Sequence, residues 1–160
     1  MGRLSRVTLV LDAMCVIALD ECSCLEKLRF VGATVAVVPE VASQAGLELR
    51  DGFPRDKRYD FIRVQSPKRE RVPLLEQLDR GERESAGLCL EDPKWRFLVT
   101  EDRVARKKTT PLGIHIFGTE ALLWILAVHG RITMTDLRRV LQRVQAPKVD
   151  ADFSDEIVKP

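Results

Sequence analysis

The amino-acid sequence predicts an α/β fold in three layers, with a central, mainly parallel sheet flanked by helices. Three observations predict it. Near-continuous apolar runs rich in β-branched residues recur at 7–11, 34–38, 95–100 and 114–117, and such runs suit strands buried on both faces of a parallel sheet. Between them lie segments whose apolar residues return at helical spacing, and alternation of strands with helices implies parallel pairing through crossovers. The chain has 160 residues, 45% hydrophobic and 31% charged, ordinary values that exclude disorder, collagen and coiled coil. A chain of this length buries roughly 68–70% of the surface its unfolded form exposes, so its core needs no disulfide or structural metal.

Each element has its own signal. Val7-Thr8-Leu9-Val10-Leu11 is the first strand, ended by Asp12. Val16, Ile17, Leu19, Leu25 and Leu28 then follow at roughly helical spacing. Thr34-Val35-Ala36-Val37-Val38 is the second strand, and Pro39 stops it and suits the first turn of a helix. Val41, Ala45 and Leu49 share one face and carry that helix towards Gly52-Phe53-Pro54. Phe61-Ile62-Arg63-Val64 is a short third strand, Ser66-Pro67 turns, and 72–78 reads as a short helix. Gly81 opens a helix from Glu82 to Leu90, whose first-turn acids complement the helix dipole. Trp95 to Thr100 is the next strand, ended by Glu101 and Asp102, and a short basic helix follows through Lys107 and Lys108. Ile114 to Phe117 is the last strand, ended by Gly118-Thr119. Ala121 to Val128 is a strongly apolar helix around Trp124, and Thr133 to Gln145 is amphipathic. Residues 1–145 are therefore expected to form one domain, with 146–160 as a tail or docking arm.

Charge and cysteine content narrow the function classes. Lys plus Arg is 26 and Asp plus Glu is 24, a formal charge of +2, which excludes affinity for nucleic acid from bulk charge alone. Cys15 and Cys89 lie in apolar runs and read as small buried hydrophobes. Cys22 and Cys24 are two apart with no second pair and no nearby His, unlike a zinc site. Free thiols imply a reducing cytoplasm. The run from Val7 to Leu19 contains Asp12 and falls short of the about 20 residues a bilayer span needs, so no membrane role is expected.

In open parallel sheets, ligands bind outside the carboxyl ends of the strands. Asp12 lies at one such end, Glu101 and Asp102 at another, and Glu82 and Glu84 at a helix start. Crossovers that gather these residues would bring carboxylates together, and clustered carboxylates repel unless a cation holds them. Hard oxygen donors without Cys or His suit Mg2+ or Mn2+, metals that activate water and stabilise the anionic transition state of phosphodiester cleavage. Asp12 and Glu82 each have a plainer reading as well, as a helix cap and as a first-turn acid.

The ordered series resembles the PIN domain, the ribonuclease fold of VapC-type toxins, over about residues 5 to 145. Val10-Leu11-Asp12 is similar to the family's opening strand, and Val37-Val38-Pro39-Glu40-Val41 to its second strand entering a helix. Leu78 to Ala86 resembles a segment "L-x-x-GE-x-EA", Leu98 to Arg106 resembles "LL-x-DDR-x-AR", and Gly113 to Thr119 resembles "G-[IL]-x-V-x-GT". These mark the branch with GE and GT motifs. The resemblance implies that Asp12, Glu82 and Asp102 are catalytic metal ligands for Mg2+ or Mn2+. It implies that Thr100 orders the site, with Glu84 an alternative to Glu82, and that Glu101 and Thr119 lie near the same edge. The family's second helix carries V-x-x-E, where Gln44 stands here, and an amide binds a cation without bringing charge. Glu40, one turn earlier on the same face, partly compensates. After Asp12 the family has a Ser, Thr or Asn, where this chain has Ala13-Met14.

Arg103, Arg106, Lys107 and Lys108 follow the Asp102 corner directly, either as a solvated helix face or as an RNA-contacting rim. Arg50, Arg55, Lys57, Arg58, Lys68, Arg69 and Arg71 are further basic clusters. His115 and His129 match no nucleophile pattern, and Trp95 and Trp124 read as core or interface. The resemblance implies a metal-dependent endoribonuclease, a toxin with RNA as substrate, an antitoxin protein as partner and a homodimer as assembly. Gln44 keeps a second reading open, a PIN-fold binding or regulatory module without catalysis. A phosphoacceptor receiver domain needs an acidic pair after the first strand, which Asp12-Ala13-Met14 does not provide.

Overall fold

The computed structural model describes residues 7–68 and 73–144. The expected tail at 146–160, the start of the expected helix at 72, and Arg69 and Arg71 lie outside the described residues. Strand β1 is Thr8–Leu11 and β2 is Thr34–Val37; β5 is Ile62–Val64, β6 is Arg96–Val99 and β7 is His115–Phe117. They form one sheet in the order β5-β2-β1-β6-β7, with every pairing parallel. A separate hairpin pairs β3, Leu49–Arg50, with β4, Phe53–Pro54.

The apolar runs explain the order. Val10, Leu11, Val35, Ala36, Val37, Leu98 and Val99 are all buried, so β1, β2 and β6 take the middle of the sheet. The edge strands β5 and β7 are short and carry exposed Arg63 and His115.

Helices α1 (Ala13–Glu21), α2 (Pro39–Gln44), α3 (Arg80–Leu90), α4 (Arg103–Thr109) and α5 (Thr119–Val128) flank the sheet. A last helix covers 134–144 of the described residues. Helix α3 packs on β1 and β6 and also against α2. Its Gly81 permits that approach, because a Cβ there would lie 3.2 Å from Gln44 Oε1 and 3.4 Å from Val41 Cγ2. Cys15, Cys22, Cys24 and Cys89 are free thiols buried in the core, as expected for Cys15 and Cys89. No helix among the described residues is long and apolar enough to cross a membrane.

Three elements differ from the sequence reading. The short helix expected at 72–78 is, over its described residues, a single 3-10 turn, Pro73–Leu75. The segment after α1 is a separate 3-10 turn, Leu25–Phe30, entered through Ser23 at φ 57°. Helix α2 ends well before Leu49. Gly46 takes φ 70°, its N–H donates to Ser43 O at 3.1 Å, and the Leu47 N–H donates to Ala42 O at 2.9 Å. That double bond pattern closes a helix at a left-handed glycine, so Leu49 joins the hairpin although its spacing continues the helical face.

Candidate active site at the carboxyl edge of the sheet

The register of the central strands builds the site. Leu11 pairs with Val99 and Val99 with Phe117, so the next residues, Asp12, Thr100 and Gly118, leave the sheet side by side. The Asp12 N–H still donates to Val99 O at 3.1 Å, and the Thr100 N–H to Phe117 O at 3.1 Å. Parallel pairing in this register thus carries the β1, β6 and β7 ends to one edge.

Asp12 is 7% exposed and caps α1, with Oδ1 accepting from the Cys15 N–H at 2.9 Å. Its Oδ2 accepts a hydrogen bond from the Thr100 hydroxyl. Burial raises its pKa above the ordinary carboxylate value, against the lowering effect of the Thr100 and Cys15 bonds. Asp12 is therefore both a helix cap and part of the edge.

Thr100, also buried, joins the two strand ends. Its Oγ1 donates to Asp12 and accepts from the Asp102 N–H at 3.1 Å. Asp102 in turn caps α4, its Oδ1 accepting from the Val104 N–H at 2.8 Å and the Ala105 N–H at 3.0 Å.

Glu82 reaches the same place from α3. Asp79 caps that helix, accepting from the Glu82 N–H at 2.9 Å. Asp79-x-x-Glu82 has the form of a capping box, in which the acid three residues on turns back to the cap. Here the Glu82 carboxyl is hydrogen bonded to the Asp102 carboxyl instead. Burial, the Asp102 contact and the nearby Asp79 charge push its pKa up to about 8. Two carboxyls in contact need a proton or a cation between them. Asp79 was not singled out from the sequence; the capping-box spacing is the signal that marks it.

The other named residues are distributed around this core. Gln44 is exposed at the end of α2, its Oε1 over Gly81 and its Nε2 donating to Glu40 Oε1 at 3.5 Å. The Glu84 carboxylate is engaged by Arg80 at 3.1 Å, and Arg80 also faces Glu40 at 3.9 Å. Glu101 Oε1 accepts a hydrogen bond from the Thr119 N–H, a favourable place for an anion at the start of α5. The Thr119 hydroxyl is buried beside the Cys15 thiol and has no oxygen or nitrogen partner among the described residues. Trp124 is 45% exposed, which excludes core from its two readings, core or interface.

The bases form a rim. Arg103, Arg106 and Lys107 line one cleft of about 490 Å³ with Thr110 and Pro111. Arg106 is held at the acid edge by its Nε, which donates to Thr100 O at 3.0 Å. Lys108 turns away to Gln77, Nζ to Oε1 at 2.9 Å. In the further clusters, Arg55 and Arg58 are paired with Glu48 and Asp56.

The donors at this edge are hard oxygens, the Asp12, Asp102 and Glu82 carboxyls and the Thr100 hydroxyl, which suit a cation of the Mg2+ and Mn2+ type. The Glu82–Asp102 contact fits such an ion, because a cation relieves the repulsion that a shared proton relieves in its absence. The acids form a line rather than closing on one point: Thr100 links Asp12 to Asp102, and Glu82 joins through Asp102. Among the described residues no group of three or more His, Cys, Asp or Glu is gathered tightly enough to hold a metal.

A family model described as a PIN domain matches residues 8–156 of the chain. No curated protein and no solved structure matches it.

Proposed function

The chain belongs to the PIN domain family, a nuclease-like fold, and from that premise we propose that it is a metal-dependent endoribonuclease working as the toxin of a VapC-type pair. The observation that carries the reading is the chain of contacts Asp12–Thr100–Asp102–Glu82 across the carboxyl edge of the sheet. Asp12, Asp102 and Glu82 would hold Mg2+ or Mn2+. When bound, such an ion supplies an activated water and stabilises the anionic transition state of phosphodiester cleavage.

The chain's own residues do the rest. Thr100 fixes the distance between Asp12 and Asp102, and the three caps on α1, α3 and α4 fix the backbone that carries the acids. Arg103, Arg106 and Lys107 hold the phosphates of a single RNA strand beside them. The reading is tested by incubating purified protein with single-stranded RNA and Mn2+. Wild type cleaves and Asp12→Asn does not; equal cleavage by both would mark the activity as a contaminant and overturn the reading.

Gln44 favours a second reading, a PIN-fold binding or regulatory module without catalysis. It stands where the family's second helix has an acid, and the three remaining acids are not closed into one group. Calorimetry with Mg2+ and Mn2+ separates the two: the catalytic reading requires binding at or below millimolar metal, and no binding there selects the module. An antitoxin protein as partner and a homodimer as assembly belong to the first reading, tested by co-purification and by light scattering.

A further inference from the structure

We propose that the cleft between α4 and α5 is a subsite for one unpaired nucleobase of the RNA strand, guanine being the base it fits best; this rests on the ribonuclease reading above. The cleft measures about 430 Å³ and is lined by Glu101, Arg106, Gly118, Glu120, Ala121 and Trp124. It adjoins the acid edge directly, because Glu101 stands between Thr100 and Asp102 in the chain and Arg106, one turn into α4, donates to Thr100 O.

Three features define the ligand. The first is the Trp124 ring, a large apolar surface left 45% exposed beside Ala121 and Gly118 in a cleft that also carries Glu101, Arg106 and Glu120. Its Nε1–H donates to Glu120 Oε1 at 3.4 Å, which steadies the ring. Exposed aromatics beside basic residues are the stacking platforms of single-strand binders.

The second is Arg106, which lines both this cleft and the basic cleft of Arg103 and Lys107. A strand whose phosphates lie along the basic cleft passes Arg106 and presents its next base to Trp124.

The third is the acceptor character of the walls. Glu101 and Glu120 accept hydrogen bonds and donate none, and neither is in an ion pair among the described residues. A base that reads them must bring N–H groups. Guanine brings N1–H and N2–H on one edge, which the two oxygens of Glu120 can accept together because Oε1, shared with the Trp124 Nε1–H, keeps a second lone pair; uracil brings a single N–H there.

Ile125 and Val128 continue the exposed side of α5 beyond Trp124, at 41% and 78% exposure. A protein partner on that side would meet two carboxylates and a guanidinium at the Trp124 end, which an apolar surface does not match. The charged lining therefore favours the nucleobase.

Tryptophan fluorescence tests the proposal without relying on catalysis. The four nucleoside monophosphates are titrated into wild type and into Trp124→Phe, which leaves Trp95 as the background signal. Guanosine monophosphate is expected to quench wild type and bind about tenfold more tightly than uridine monophosphate. Trp124→Phe is expected to lose the quenching, and Glu120→Gln to lose the preference for guanine. In cleavage assays Trp124→Ala is expected to raise KM about tenfold, with kcat changed by less than about twofold.

Equal responses to all four nucleotides, or an unchanged KM in Trp124→Ala, would overturn the subsite. So would a Trp124→Ala variant that alters only the oligomeric state. If wild type cleaves no RNA with any cation, the ribonuclease reading fails, and the nucleotide titration still decides the subsite by itself.

Discussion

The Thr100 hydroxyl donates to Asp12 and accepts from the backbone N–H of Asp102. One buried side chain thereby ties the end of β1 to the start of α4. Removing the hydroxyl while keeping the shape leaves a buried Asp12 oxygen short of a partner, which costs about 1–3 kcal/mol. Thr100→Val is therefore expected to lose that much stability in urea denaturation, while Thr100→Ser keeps the bond and loses less. A Thr100→Val variant as stable as wild type would show that the bond does not hold the edge together.

That bond also marks the limit of what the sequence discloses. Asp12, Glu82 and Asp102 were legible one by one, as acids at strand ends and at a helix start. The β-branched runs around Val10, Val37 and Leu98 made the parallel sheet legible. The link through Thr100 was not, because it depends on Leu11 standing opposite Val99, and register is a property of paired strands rather than of either one. The turn of Glu82 towards Asp102 and away from its own cap was hidden for the same reason. The overlong second helix had a different cause: spacing carried Leu49 onto its face, while Gly46, three residues before it, ended the helix.

Stability in the metal-free protein is expected to fall between pH 5 and pH 8.5. The Glu82 pKa rises from 4.5 in the open chain to about 8 in the fold, and burial raises Asp12 in the same direction. A raised carboxyl keeps its proton in the folded protein where the unfolded chain has released it. Its contribution is complete below the unfolded value and is lost as pH rises through the folded one. The lowered carboxyls Glu21, Asp56 and Asp136 act at pH values below their ordinary range and do not enter this window. Thermal melts in EDTA from pH 5 to pH 8.5 measure the slope. Glu82→Gln is expected to flatten it, and added Mn2+ to oppose it by favouring the ionised carboxyl; a slope unchanged in Glu82→Gln would assign it elsewhere.

Gln44→Glu is expected to tighten Mn2+ binding by about tenfold, an effect of the order of one added charge within a few ångströms of a cation. The side chain already lies over Gly81, at the mouth of α3, so the carboxylate enters without a change of backbone. Without metal the same variant is expected to be slightly less stable than wild type. Its new charge faces Glu40, to which Gln44 now donates a hydrogen bond at 3.5 Å, and like charges one helical turn apart repel. Calorimetry and melts in EDTA measure the two effects. Unchanged affinity for Mn2+ would place Gln44 outside the reach of the cation.

Gly118 is the remaining residue whose identity the edge dictates. Its φ of −84° suits any amino acid, so the backbone does not require glycine there. The space around it does: a Cβ would lie 2.5 Å from Arg106 Nη2 and 2.7 Å from Glu101 Oε1. Both atoms are the ends of flexible side chains, so Gly118→Ala is expected to fold, with Arg106 and Glu101 pushed off the start of α5. Loss of the Glu101 bond to the Thr119 N–H would cost about 1 kcal/mol, as for a lost helix cap. Loss of the Arg106 position would raise KM for RNA to the level of Arg106→Ala. Residues acting through one contact do not add, so Gly118→Ala combined with Arg106→Ala is expected to match Arg106→Ala alone. A double variant weaker than either single one would show that Gly118 serves the strand by a route other than Arg106.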